Sequence, residues 1–207
     1  MTTQVVLFDL GGVLVRLGGV DHFGQMVGMS DPEEIWRRWL TSPAVRRFER
    51  GGCSNEDFAE EMVRENDLAL SAVEFLEIFR SWPKGLLDGA REMVVGLAEP
   101  LQVACLSNTN ALHWNEQQDA EVVQRMFDVA FLSHEIGLVK PDAEIFEHVV
   151  EELSCQAAEI LFFDDNALNV DAARSVGLDA HKVEGVAPTQ ALLRERGLLQ
   201  SSRKPRR

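Results

Sequence analysis

Short, nearly unbroken apolar runs alternate along this chain with stretches whose apolar residues recur every three or four positions. The runs Val5–Leu10, Leu101–Leu106, Val129–Leu132, Ile160–Phe163 and Asp179–Val183 read as strands. Apolar residues without polar alternation suit strands buried on both faces, the usual state of a parallel sheet. Helical periodicity falls between the later runs, over 111–126, 142–153, 167–176 and 189–196. Strand and helix in strict alternation predict an α/β fold, a parallel sheet flanked by helices on both faces.

One connection is out of scale. About ninety residues separate the first run from Leu101, and they show helix starts but no clear strand. Asp31-Pro32 offers an N-cap and an N1 proline ahead of a stripe of Ile35, Trp36, Trp39 and Leu40. Ser42-Pro43 repeats the device before a stop at Gly51-Gly52, and Ser54 to Asp57 and Ser71 to Glu74 resemble capping boxes. Residues 16–87 are therefore expected to form a helical cap inserted into a core made of residues 1–15 and 88–200. A further helix over 88–98 leads back to the sheet, and the basic run 201–207, with Pro205, reads as a disordered tail.

Bulk properties narrow the function. A chain of 207 residues is long enough for one such core plus an insertion. No apolar run reaches the roughly 20 residues of a membrane helix, and Met1 to Gln4 lacks the basic start of a signal peptide. The expected location is the cytoplasm. Three scattered cysteines (53, 105, 155) make neither a disulfide framework nor a zinc pattern, and five histidines (22, 113, 134, 148, 181) show no metal-ligand spacing. A net charge of −14 argues against nucleic acid as a partner. It also requires any anionic substrate to find a local positive focus. The sequence carries no signal of oligomeric state.

Open parallel sheets present their chemistry at the carboxyl ends of the strands. The first strand ends Phe8-Asp9-Leu10-Gly11-Gly12, the second Ser107-Asn108-Thr109-Asn110, and the fourth Asp164-Asp165-Asn166. The third leads on to Lys140-Pro141. Singly each signal is weak: a strand-end aspartate can be a turn or cap residue, and Lys-Pro is a common helix start. Together they place complementary groups on one rim. Three carboxylates repel one another unless a hard cation joins them, and an oxygen-only donor set suits Mg²⁺. Lys140 and Ser107 supply a charge and a hydroxyl for phosphate oxygens. Carboxylate nucleophile, metal and phosphate clamp are the parts of a phosphoryl transfer through an aspartyl-phosphate.

These four segments, in this order, resemble the four motifs of the haloacid-dehalogenase-like superfamily, and the resemblance extends over nearly the whole chain. The segment Leu132 to Asp142 is especially close to the family style; within the superfamily the chain most resembles the bacterial branch near α-glucose-1-phosphate phosphatase and the phosphatase domain of soluble epoxide hydrolase, and Leu106 to His113 supports the glucose-phosphatase side. The resemblance implies a Rossmann-like core with an inserted helical cap of the C1 type. It implies Asp9 as nucleophile and metal ligand, joined by the Gly11 carbonyl and Asp165, with Asp164 ligating directly or through water. Ser107 and Asn108 would hold the phosphoryl group, Lys140 would neutralise Asp9 and the phosphate, and Asn169 would orient the loop. The expected activity is Mg²⁺-dependent hydrolysis of a small phosphorylated metabolite, with a sugar phosphate as the candidate.

Gly11 departs from the pattern. Most phosphatases of the family carry there a second aspartate that protonates the leaving oxygen and later activates water. General acid–base help is typically worth about 10²–10⁴-fold. His22 and His113 are the candidate substitutes. Two other readings compete: a 2-haloacid dehalogenase using Asp9 without metal, which the acidic pair Asp164-Asp165 disfavours, and a non-catalytic phospho-ligand binder, which only Gly11 favours. Substrate choice is assigned to cap residues on the rim, Arg46 to Arg50 and Trp82.

Overall fold

A computed structural model describes residues 2–199; the expected basic tail lies outside the described residues. Among the described residues seven strands form: β1 (Val5–Phe8), β2 (Val15–Leu17), β3 (Pro83–Leu86), β4 (Gln102–Ser107), β5 (Val129–Leu132), β6 (Ile160–Asp164) and β7 (Asp179–Lys182). Five of them make a parallel sheet in the order β5-β4-β1-β6-β7, with β1 at its centre. Phe8, the last residue of β1, pairs with Cys105 on one side and Phe163 on the other, so β4 runs on to Ser107 and β6 to Asp164 beside it.

Both faces of the sheet are covered, which is why its strands lack polar alternation. Val6, Phe8, Cys105, Leu161 and Phe163 pack on one side against α6 (Ala90–Val95), with Leu193 of α12 (Val186–Glu195) in the same layer. Val5, Leu7, Ala104 and Phe162 face the opposite layer, built by α10 (Ala143–Leu153) and α11 (Ala167–Val176). A four-residue helix, α9 (Ser133–Ile136), follows β5. The expected helix over 111–126 is instead two, α7 (Ala111–Glu116) and α8 (Ala120–Gln124). Asp119 interrupts it at φ 66°, and its carboxylate accepts the Leu86 amide of β3 at 3.3 Å. A tertiary contact thus overrides the helical period.

Five helices lie between β2 and β3: α1 (Gly19–Val27), α2 (Pro32–Thr41), α3 (Pro43–Glu49), α4 (Asn55–Glu65) and α5 (Ala72–Arg80). Their starts are the ones the sequence signals. Asp31 and Ser42 cap α2 and α3, each followed by proline, and Ser54–Asp57 and Ser71–Glu74 close full capping boxes. The helices share an aromatic core of Phe23, Trp39, Phe48, Phe58, Phe75 and Phe79. The expectation of no strand in this region is corrected. β2 and β3 pair antiparallel as a stem through which the chain leaves and re-enters the core. Three- and four-residue strands, the second carrying Pro83 and Gly85, are too short to show period-two alternation. The helices also grip the core directly. Arg46 of α3 and Arg50, its C-cap, both reach one oxygen of Asp142, at 2.5 and 2.6 Å, where Asp142 opens α10. Among the described residues no helix is long and apolar enough to cross a membrane.

Candidate active site

The neighbouring carboxyl ends of β1, β4 and β6 bring Asp9, Ser107 and Asp164 to one rim, and Lys140 completes it from the loop before α10. Its ammonium uses all three of its hydrogens. It donates to Asp9 Oδ1 at 2.8 Å, to Asp164 Oδ2 at 2.7 Å and to the Leu106 carbonyl at 3.1 Å. Lys140 is 2% exposed and Asp164 fully buried, so this is an ion triad with almost no water. Burial alone would lower the Lys140 pKa, but the fields of Asp164 and Asp9 more than offset it and hold the ammonium charged well above its ordinary range.

The carboxylates are under tension. Burial, with repulsion from Asp164, pushes Asp9 up to about 7 despite Lys140. Burial, then Asp9 and Asp164, push Asp165 up to about 8. Oxygens of Asp9, Asp164 and Asp165 all lie within 4.8 Å of one another. Three carboxylates against one ammonium leave two negative charges in excess, and a divalent, oxygen-seeking cation such as Mg²⁺ fits that excess and that donor set. Asn169 Oδ1 is a further buried acceptor without a partner beside it. The acidic residues are not equivalent. Asp164 accepts from Lys140, from the Asn166 amide at 2.8 Å and from Asn169 Nδ2 at 3.0 and 3.1 Å, so its lone pairs are committed. Asp9 and Asp165 keep acceptor capacity free, and both line the cavity above the sheet.

The two glycines after Leu10 have different jobs. Gly12 sits at φ +71°, and a Cβ there would lie 2.1 Å from Asp165 Oδ2. Gly11 has a φ outside the left-handed region, but a Cβ would meet Leu17 Cδ1 at 2.5 Å. The space that a side chain at position 11 would occupy is filled by a leucine of β2. The proposed histidine substitutes do not supply the missing proton. His113 Nε2 must donate to the Phe79 carbonyl at 2.8 Å, leaving Nδ1 to face Asn110 Nδ2 at 3.4 Å. Burial pushes it down to about 4, so it stays neutral with its one proton committed. His22 is absent from the cavity wall, and its Nδ1 is buried without a partner.

Residues expected on the rim divide. Trp82 and Glu49 line the cavity, whereas the arginines do not. Arg46 and Arg50 hold Asp142, and Arg47 pairs with Glu61 at 2.6 Å. Ser107 lines the cavity as expected. Asn108 does too, but its side chain zips β4 to the lysine loop: Oδ1 accepts the Lys140 amide at 2.8 Å and Nδ2 donates to the Lys140 carbonyl at 3.0 Å. Sequence reasoning passed over Glu49 as a carboxyl. It is 8% exposed, accepts from Trp39 Nε1 at 3.4 Å, and burial pushes it up to about 7. The signal was present, because Ala44, Val45, Phe48 and Glu49 form one helical stripe with an acid on its apolar side.

Residues 3–177 match the haloacid dehalogenase-like hydrolase family. The chain belongs to this family. Among its relatives are a sesquiterpene phosphatase of Aspergillus oryzae, 29% identical over 86% of this chain and 88% of that protein. A D-ribitol-5-phosphate phosphatase of Bacteroides thetaiotaomicron is 24% identical over 88% and 92%. A haloacid dehalogenase-like enzyme of Bacteroides thetaiotaomicron, crystallised as a magnesium complex, shares the fold with a TM-score of 0.73 at 24% identity, covering 94% of this chain and 100% of its own. The fold shared with that enzyme includes the parallel sheet flanked by helices.

Proposed function

We propose that this hydrolase is a Mg²⁺-dependent phosphatase acting on a small organic phosphate through an aspartyl-phosphate on Asp9. The observation that carries the reading is the rim itself: Lys140 holds Asp9 at 2.8 Å beside Asp165 on the floor of a cavity. Mg²⁺ would be held by Asp9, Asp165 and the Gly11 carbonyl, and when bound it supplies charge stabilisation for the phosphoryl oxygens. Asp164 fixes Lys140 and Asn169 and contributes through them. Lys140 positions the Asp9 carboxylate, and the Ser107 hydroxyl and Asn108 backbone amide bind the phosphoryl oxygens. An Asp9 oxygen attacks phosphorus, and the P–O bond to the organic group breaks with its electron pair on the departing oxygen. Water then attacks the same phosphorus, the bond to Asp9 breaks, and the water proton passes to solvent with orthophosphate. Two phosphatases among the relatives support the reaction class; their substrates, a sesquiterpene in one name and a sugar alcohol phosphate in the other, differ too far to fix the organic group.

The test is turnover of acetyl and 4-nitrophenyl phosphate with Mg²⁺ and with chelator, for the parent and Asp9→Asn. Loss of the nucleophile removes orders of magnitude. An Asp9→Asn rate within about tenfold of the parent, or 2-chloropropionate dehalogenation in chelator with no phosphate release, refutes the proposal.

A further inference from the structure

The wall of the cavity above Asp9 is built for an apolar group. Leu17, Trp36, Trp39, Phe79 and Trp82 line it, all contributed by β2 and the segment between β2 and β3. Three of these rings hold one another in place. Trp39 and Trp82 lie 4.8 Å apart between centroids, Phe79 and Trp82 5.0 Å, and Trp39 and Phe79 6.0 Å. Mutually packed rings of this kind form a fixed surface and need no ligand to organise them.

Several polar atoms among these rings are already engaged. Trp39 Nε1 donates to Glu49, both ring nitrogens of His113 are engaged by Phe79 and Asn110, and Asn110 Oδ1 caps α7. Trp82 Nε1 is buried and has no partner among the described residues. A sugar or polyol would bring several hydroxyls against these rings and lose their water without replacement, which carries a penalty for each unsatisfied group. An alkyl, aryl or isoprenoid group gains from the same surface in proportion to its area. Leu17 adds to this, since it replaces with methyl groups the place where a carboxyl at position 11 would stand.

We infer that the organic group of the substrate is apolar, so that the cavity selects a lipophilic phosphate monoester over a sugar phosphate. The inference rests on the phosphatase reading of the rim, and two assays separate the two. The first is binding without reaction: tryptophan fluorescence of the full chain with Mg²⁺, titrated with hexylphosphonate and with methylphosphonate. Hexylphosphonate should bind at least tenfold tighter, because the added methylenes enter the aromatic wall; equal affinity overturns the inference. The second compares kcat/KM for hexyl phosphate and ribitol 5-phosphate, both primary alkyl esters. Hexyl phosphate should lead by at least about tenfold, and equal or faster hydrolysis of ribitol 5-phosphate overturns the inference even if hexylphosphonate binds well. Should hexylphosphonate bind selectively while no ester, acetyl phosphate included, is hydrolysed, the phosphatase reading falls and the cavity's preference for an apolar ligand stands. Trp36→Ala should lower kcat/KM for hexyl phosphate about tenfold more than for acetyl phosphate, the effect of withdrawing roughly 50 Å² of apolar contact. An equal loss on both substrates counts against the wall as the recognition surface.

Discussion

Glu49→Gln should change the way stability depends on pH. In the folded chain Glu49 is buried against Trp39, with Lys140 and Arg46 as the nearby charges that favour its ionised form. Burial outweighs them and raises its pKa from 4.5 to about 7. The unfolded chain releases this proton near the ordinary value, the folded chain only near neutrality. Between those two pH values the folded state binds the extra proton, so the free energy of unfolding falls as pH rises through the window and is flat on either side. At about 1.4 kcal/mol for each tenfold in proton affinity, the whole effect is capped near 3 kcal/mol. Glutamine keeps the shape and the acceptor for Trp39 but cannot ionise. Urea unfolding in chelator, at intervals from pH 4.5 to 8, should therefore show the parent losing up to about 3 kcal/mol relative to Glu49→Gln. Parallel curves for the two proteins would refute the assignment of Glu49 as a buried, late-titrating carboxyl.

Three further outcomes are expected. Asp164→Ala strips Lys140 and Asn169 of their shared partner and should cost about 3–5 kcal/mol in urea unfolding, as breaking buried ion pairs does; Asp165→Ala, which removes a repelling carboxylate, should leave stability in chelator unchanged or higher while weakening Mg²⁺ binding by calorimetry, and the reverse order would contradict the division of labour between them. Gly12→Ala combines a left-handed φ with a methyl against Asp165, so it should lower the melting temperature by more than a Gly-to-Ala change at an ordinary site and reduce Mg²⁺ affinity; wild-type values for both would mean that the loop relaxes freely. Gly11→Asp alone should gain little, because Leu17 fills the space, whereas Gly11→Asp with Leu17→Ala should raise kcat/KM for alkyl phosphates relative to 4-nitrophenyl phosphate by about tenfold or more; the absence of any gain in the double variant would show that the missing acid does not limit the rate.

How much of this was legible in the sequence follows from what each feature rests on. The five sheet strands and most helices were readable because they are set locally, by apolar runs and by caps such as Ser54–Asp57 whose bonds span three residues. The break in α7–α8 was not, because its cause is a contact between Asp119 and the Leu86 amide. The members of the acidic rim could be named from strand ends alone, but not their unequal roles: that Asp164 is saturated depends on Asn169 and Lys140 arriving from different elements. Gly11 was visible as an absence. What fills it was not, since Leu17 reaches it only through the β2–β3 pairing. The rim arginines misled because a basic helix face facing an anionic partner looks the same whether that partner is a substrate or Asp142.

The grip of Arg46 and Arg50 on Asp142 has a consequence for how the enzyme should be handled. Asp142 stands two residues beyond Lys140, and α3, which carries Arg46 and is capped by Arg50, also carries Glu49 into the cavity. The side chains involved are 26–41% exposed, so dissolved ions reach them. Pairs of this kind contribute at most about 1 kcal/mol each, and the Debye length shrinks from about 30 Å at 0.01 M salt to about 3 Å at 1 M. The aromatic layer beneath them is indifferent to that change. Ionic strength thus acts on the arginine contacts to Asp142 and spares the aromatic packing. A buffer chosen for convenience sets how firmly the roof of the cavity is tied down over Asp9.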